Sequence, residues 1–377
     1  MSDGRRLHDL DNLRVGLTIL VIAHHVGQAY GPTGGSWPIQ EASRAAILGP
    51  FFTVNRSFFM SLFFLISGYF MVASYDHHGP GRFLKNRLLR LGVPLLAFFF
   101  LIIPVQQYLC HLHAGDLGGL SFGQYYTTRY FGPINAEANF AHLWYVEHLL
   151  VFSLCYAVMR TVRKRPVEAS GHTPRPLTHL SIVVFTLVLA VASGTIRIWY
   201  PIDKWVGFLG FIQVAFADVP RDLSCFVLGA IAYRRLWLVQ TSNKMGAIWL
   251  SIGLTLAILW YVFSLGHLWS ILRITREVRG YIYPVWESLL CCGMCIGLLV
   301  LFREKLNFQG RWGRLMAENQ YAAYLFHVPV VVLIQVAAAG AALSPFTKFA
   351  LVTAVSVPAT FLLSAVIRTP APMRKVL

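Results

Sequence analysis

The sequence predicts an all-α, polytopic membrane helix bundle of about ten transmembrane helices with both termini cytosolic. Three observations carry that expectation. Of the 377 residues, 56% are apolar and only 13% are charged, against about a quarter charged in a typical soluble domain. Apolar runs of about 20 residues, the length that crosses a bilayer, recur along the chain. The basic excess is large, 32 Lys+Arg against 16 Asp+Glu for a net charge of +16. In a soluble protein that balance would suggest nucleic acid. In a chain with a mean hydropathy of +0.58 it suggests basic cytosolic loops, and no nucleic-acid partner is expected. Disorder is excluded, because so much apolar surface cannot stay in water.

The candidate spans, in order, are 13–30, 51–75, 91–110, 142–160, 180–199, 221–236, 245–265, 281–302, 319–340 and 349–367. The sixth is the shortest and is preceded by Asp218, Pro220, Arg221 and Asp222. The apolar stretch 205–217 reads as a re-entrant or interfacial piece. The polar insert at roughly 161–178 reads as a cytosolic loop. No internal repeat is visible, so residues 1–377 are expected to form a single integral-membrane domain. No small-residue cleavage site follows the first apolar run, so that span is expected to stay in the mature protein. Cys110, Cys155, Cys225, Cys291, Cys292 and Cys295 lie in or at the ends of apolar runs. Packing, rather than a disulfide framework or a zinc site, is the role expected of them.

Orientation follows from the basic residues. With the N-terminus inside, 21 of the 32 Lys+Arg fall in cytosolic segments and 10 in outer loops and outer helix ends, with Arg14 at an inner helix mouth. Among the outer ten are Arg56, Arg197, Arg221 and Lys348. The split follows the excess of basic residues in cytoplasmic loops. One outer loop resists it: Arg273, Arg276 and Arg279 make the segment before the eighth span basic.

Ionisable residues inside a membrane cost about 2.5–3.5 kcal/mol each on insertion scales, so each needs a reason. Arg14 and His25 are eleven residues apart in the first span. That is about 20° past three full helical turns and a rise of about 16 Å, so they share one face. A histidine hydrogen-bonded to a neighbouring helix is the plain alternative to a base. In Phe63-Phe64-Leu65-Ile66-Ser67-Gly68-Tyr69-Phe70, helix packing is favoured over a direct catalytic role for Ser67. Arg87 and Arg90, three apart, suit a multiply charged phosphate as well as they suit inside-positive topology. Glu147, behind His142-Leu143-Trp144-Tyr145, and Glu287 sit about a third of the way in from the outer face. Tyr324 and His327 are helix-surface neighbours. Together, Ser67, Trp144, Glu287, Tyr324 and His327 suggest an acceptor site or the lining of a polar cavity. No two histidines have the i, i+4 spacing of helical metal ligands, and no metal is expected.

Taken in order, these motifs resemble the acyltransferase-3 family of integral membrane O-acyltransferases, which includes polysaccharide O-acetyltransferases and a succinyltransferase of periplasmic glucans. The resemblance rests on Leu10-Asp11-Asn12-Leu13 with Arg14 and His25, on the Phe63–Phe70 phrase, on Arg87-x-x-Arg90 with Pro94, and on His142-Leu143-Trp144-Tyr145. A weaker fifth element is Tyr324-Leu325-Phe326-His327-x-Pro329. It implies ten spans in the cell (inner) membrane. It also implies acyl-CoA as a donor substrate, with no permanently bound cofactor, and a carbohydrate or glycolipid acceptor on the far side. Arg14, Arg87 and Arg90 would serve the donor and His25 would be the base, with Glu147 or Asp11 as orienting acids. Members that carry a further domain beyond the last span contrast with the roughly ten residues that follow it here, so transfer is expected within the bundle or by hand-over to a separate protein. The alternative is a transporter or flippase whose polar residues line a substrate path, although no inverted repeat supports it.

Overall fold

A computed structural model of the chain describes residues 7–32, 37–132, 137–162, 175–208 and 212–377. The basic residues at 5, 6 and 163–165, and most of the polar insert, lie outside the described residues. The rest is helical almost throughout. Helix α1 (His8–Gly27) is followed by α2 (Leu48–Arg87), which bends at Gly79. There φ is +70°, a conformation that glycine adopts without a Cβ clash, and Pro80 follows. The chain runs on through a π-turn into α3 (Val93–Ala97) and through a second into α4 (Ile103–Ala114). The short α5 (Phe122–Tyr125) opens on a Ser121–Gln124 capping box, and α6 (Trp144–Val162) follows a 3₁₀ turn at Ala141–Leu143. Helix α7 (His179–Ile196) leads to a two-stranded antiparallel hairpin, β1 (Val206–Phe208) and β2 (Ile212–Val214).

The remainder comprises α8 (Val219–Arg235), α9 (Trp237–Gln240), α10 (Asn243–Leu265) and α11 (Leu268–Ile271). The last four are α12 (Arg276–Lys305), α13 (Arg311–Ala338), α14 (Pro345–Ile367) and α15 (Ala371–Val376). The apolar stretch 205–217 carries this hairpin. Its register pairs Val206 with Val214 and Phe208 with Ile212, so the strands satisfy one another's backbone groups.

Among the described residues, seven helical stretches are long and apolar enough to cross a membrane, one of them the 67-residue run Leu48–Ala114. The difference from ten has physical causes. Asp11, Asn12, Arg14, His24 and His25 dilute the apolar content of α1. Helix α8 is only 17 residues long and carries charge at both ends, and the bent run Leu48–Ala114 counts once. The outward faces are oily. Leu180, Val188 and Val191 of α7, Ile258 of α10 and Val366 of α14 are all more than 60% exposed, as helices in contact with hydrocarbon should be.

Helix α1 packs among α2, α12, α13 and α14, while α2 pairs extensively with α8, and α10 with α12. Small residues set the closest approaches. A Cβ on Gly68 would strike the Phe226 carbonyl, and one on Gly229 the Leu65 carbonyl, so these two glycines let α2 and α8 meet backbone to backbone. Gly68 is therefore a packing residue, as its sequence context suggested. All six cysteines are free; Cys225 of α8 and Cys291, Cys292 and Cys295 of α12 are buried.

Prolines shape the interior in a second way. An imide nitrogen cannot bond the carbonyl four residues back, and three of the carbonyls so released accept side chains from other segments. Pro94 releases the Arg90 carbonyl, which accepts from Tyr321 Oη at 2.5 Å. Pro104 releases that of Phe100, which accepts from Tyr126 Oη at 3.3 Å. Pro329 releases that of Leu325, which accepts from His142 Nε2 at 2.9 Å.

Candidate active site

A cavity of about 510 Å³ opens at the face that carries the C-terminal end of α1, here termed the distal face. His24 and His25 line it, together with His142, Trp144, His148 and Tyr324. Helix α1 presents His25 on the same face as Arg14, as the eleven-residue spacing requires. His25 Nδ1 lies 3.1 Å from the Val21 carbonyl and 3.1 Å from His327 Nε2. His327 Nδ1 in turn lies 2.5 Å from the Tyr324 carbonyl.

These contacts fix the tautomers. A carbonyl only accepts, so His327 must carry its proton on Nδ1, which leaves Nε2 as an acceptor. His25 Nδ1–H then donates toward Val21 and His327, and the lone pair of His25 sits on Nε2. A neutral imidazole with one nitrogen committed to backbone and the other free is the arrangement a general base needs. A second layer holds the ring in place. Trp37 lies over it at 5.4 Å between centroids, Trp37 Nε1 donates to Gln335 Oε1 (2.7 Å), and Gln335 Nε2 donates to the Val26 carbonyl (3.0 Å). Tyr324 Oη donates to the His142 carbonyl (2.7 Å), joining the two loci at which α13 meets the start of α6.

Toward the opposite, basal face, Arg14, Arg87 and Arg90 lie close enough to feel one another's charge, with Tyr145 and Tyr321 in the same field. The Gln320 amide oxygen accepts from Arg14 Nη2 (2.8 Å) and Nε (3.3 Å) in the orientation that satisfies both groups. Arg87 sits over the Phe83 ring at 5.1 Å, and Arg90 Nη2 donates to the main-chain oxygen of Leu377 (3.4 Å). Asp11 is the acid whose charge acts on Arg14, and a full set of anionic oxygens would suit the three guanidinium groups. The distal cavity does not reach them.

The wall of the cavity across from the imidazoles is built differently. Arg56 binds Asp203 and, through Nη2, Asp218 Oδ2 at 2.9 Å. Arg221 Nη1 meets Glu287 Oε1 at 2.5 Å, and its Nη2 meets Asp218 Oδ1 at 3.2 Å. Arg197 Nη2 binds the other Glu287 oxygen at 2.6 Å, and Ser61 Oγ donates to Asp222 Oδ1 at 2.8 Å. This network was not foreseen. Its members stand on four separate segments, and only the run Asp218-Val219-Pro220-Arg221-Asp222 signalled it locally.

Several expectations need correction. Trp144 and Tyr324 line the cavity, but Ser67, Glu287 and His327 do not. Ser67 Oγ is bonded to Tyr145 Oη at 2.7 Å between helices. Glu287, 1% exposed, clamps Arg221 and Arg197 from behind the wall, and His327 stands behind His25 with no exposed surface. Glu147 is buried in α6, its Oε2 without a hydrogen-bond partner. It does not line the cavity and no hydrogen bond joins it to His25, whose Nδ1 faces the Val21 carbonyl and His327 instead. Arg273, Arg276 and Arg279 are exposed around the start of α12, with Arg279 6.0 Å from the Trp269 ring, and none lines the cavity. Among the described residues, no group of three or more His, Cys, Asp or Glu side chains is placed to hold a metal ion.

A helical membrane bundle with an imidazole site at one end and clustered arginines toward the other defines the class. The chain belongs to the acyltransferase-3 family: the model of that family, described as an acyltransferase domain, matches residues 7–367. Among curated proteins it is similar to the glucans biosynthesis protein C of several Escherichia coli strains, including K12, SMS-3-5 and O1:K1. Each is 28% identical over 237 residues, covering 61% of this chain and 58% of the relative. The match thus spans less than two thirds of the curated relatives' length. No solved structure matches the chain significantly.

Proposed function

We propose that this membrane acyltransferase moves a short acyl group from cytosolic acyl-CoA to a hydroxyl of a carbohydrate or glycolipid acceptor on the far side of the cell (inner) membrane. One observation carries the reading: His25 has its Nδ1 proton committed to the Val21 carbonyl and His327, which leaves Nε2 as the free base of a cavity-lining imidazole. The acceptor O–H gives its proton to Nε2 as the oxygen attacks the thioester carbonyl. The tetrahedral adduct collapses, the C–S bond breaks, and His25 returns the proton to the departing sulfur. Ester and free coenzyme A result. A positioned base of this kind is typically worth 10²–10⁴-fold.

The donor enters from the basal face. Arg14, Arg87 and Arg90 hold its phosphates, and its pantetheine arm, on the order of 15–20 Å when extended, matches the rise of about 16 Å from Arg14 to His25. This sidedness rests on reading the bundle as ten crossings with both termini inside. They are the apolar stretches with the Leu48–Ala114 run taken as two crossings at its Gly79 bend, together with α1 and α8. The charge asymmetry also sharpens. Of the ten outer basic residues, Arg56, Arg197, Arg221 and Lys348 are taken up in ion pairs within the bundle.

The test is free-thiol release from acetyl- and succinyl-coenzyme A by purified protein in nanodiscs, with and without a mixed glycan acceptor. Wild type is run beside His25→Ala and Arg14→Ala. Turnover that needs His25 is the expected result. A well-folded wild type that consumes neither donor overturns the reading in favour of transport.

A further inference from the structure

A second cavity, of about 280 Å³, lies toward the basal face between α7, α8 and α12 and shares no residue with the distal one. It follows from how these helices pair: α7 packs on α12 and α8 on α2, while α7 and α8 touch only lightly. We propose that this slot holds one hydrocarbon chain of an anionic phospholipid from the basal leaflet, with Arg235 at the rim holding the headgroup phosphate. The site stands apart from the acyl-transfer chemistry.

The lining is hydrocarbon and sulfur. Cys225, Leu228 and Ala232 form one stripe of α8 at spacings of three and four, and Cys292 and Ile296 continue the wall on α12. The few polar atoms are already bonded. Ser181 Oγ donates to the Thr178 carbonyl (2.8 Å), Thr241 Oγ1 to the Trp237 carbonyl (2.7 Å), and Cys292 Sγ accepts from Thr186 Oγ1 (3.2 Å). Such a lining gives water nothing to bond. Along α12 it runs from Cys291 to Val300, a rise of about 14 Å, close to half of a hydrocarbon core about 30 Å thick. That is the depth of one leaflet. Next in sequence to lining residues, Val184 of α7 and Val227 and Ile231 of α8 are exposed, so the edges of the slot face lipid.

The rim supplies the charge. The α8 stripe continues to Arg235, the neighbour of Ala232 one turn on, so this half-buried cation stands on the lining face where the helix leaves the slot. Lys244 follows just beyond the lining residue Thr241, and the Arg175 carbonyl accepts from the indole of Trp237, another lining residue, at 2.9 Å. None of these three cations has an ion-pair partner among the described residues. Their neighbours do: Arg234 is held by Asp76, and Arg303 by Glu304 and the Leu238 and Thr241 carbonyls. An indole beside unpaired basic side chains is the composition that meets anionic headgroups at a membrane surface.

The full chain is placed in nanodiscs of equal parts phosphatidylglycerol and phosphatidylcholine, then released for native mass spectrometry, which identifies the lipid each chain retains. The expected result is one phospholipid per chain, with phosphatidylglycerol favoured about five-fold, the order of one basic side chain acting on an anionic headgroup. Ala232→Phe fills the slot and is expected to abolish retention. Leu228→Trp, at a half-buried lining position, repeats that test should Ala232→Phe not fold. Arg235→Gln is expected to retain a lipid but to bring the two headgroups to parity. A wild type that retains no phospholipid overturns the site, as does a lipid-free dimer, which gives the slot to a second copy. Retention unchanged in a folded slot-filling variant overturns it as well, because the lipid then sits elsewhere. An undiminished preference for phosphatidylglycerol in Arg235→Gln overturns the assignment of the headgroup to this rim.

Discussion

The two walls of the distal cavity solve the same problem, polar groups inside a membrane bundle, by opposite means. On the imidazole wall His25, His142 and His148 each spend one nitrogen on a backbone carbonyl, His24 packs among aromatic rings, and His25 is left with a free lone pair. On the guanidinium wall every charge is met by an opposite charge, and Glu287 uses both oxygens. The first arrangement leaves a group able to take a proton. The second ties its charges to one another across helices and stiffens the wall. Position in the cavity therefore does not by itself identify the reacting residue.

The sharpest way to break this contrast is at His25. His25→Ala is expected to lower kcat by about 10²–10⁴-fold while thermal unfolding in detergent stays close to wild type. Retention of a tenth of the activity would falsify the base assignment.

Glu287→Ala should do the reverse. It strands Arg221 and Arg197 without their shared anion, and removing one partner of a buried pair costs about 3–5 kcal/mol. The expected readout is a clear fall in the unfolding midpoint and in folded yield. Stability equal to wild type would mean that the wall is not held by its charges.

A smaller effect is expected at His327. Replacement by Phe removes the acceptor of the His25 Nδ1–H but leaves the Val21 carbonyl in place. The loss is about one hydrogen bond, roughly 1 kcal/mol, or several-fold in kcat with donor KM unchanged. A loss as large as that of His25→Ala would show that His327 does more than hold a ring.

Much of this architecture is legible in the sequence, because it depends on local periodicity. All ten apolar runs fall on helices, and the Arg14–His25 face follows from helical geometry alone. What escapes is whatever depends on a partner far along the chain. His25 and His327 are 302 residues apart, and nothing in the pattern of either helix announces that they meet. Glu287 reads as a cavity residue because its partners, Arg221 and Arg197, read as outer cations that set orientation. The hairpin escapes because three-residue strands are too short to show a period of two. The motif around Pro329 was visible, but its purpose lies in a carbonyl four residues earlier.

That purpose supplies the finest test. Pro94 and Pro329 release carbonyls that Tyr321 and His142 fill, one toward the arginine cluster and one beside the imidazoles. Alanine at either position restores an N–H that competes for the carbonyl, and it also removes the helix penalty of proline, about 3 kcal/mol in an exposed interior. Overall stability should therefore hold or rise, since the lost side-chain bond is worth only about 0.5–1.5 kcal/mol. The kinetic consequences should divide. Pro94→Ala loosens the segment bearing Arg90 and is expected to raise the KM for the acyl donor a few-fold with kcat retained. Pro329→Ala loosens His142 and its neighbours and is expected to lower kcat a few-fold with that KM retained. Steady-state kinetics on the two variants, side by side, measure the split. If both variants shift the same constant, the basal and distal ends work as one site, and the separation of donor binding from proton transfer along α1 is wrong.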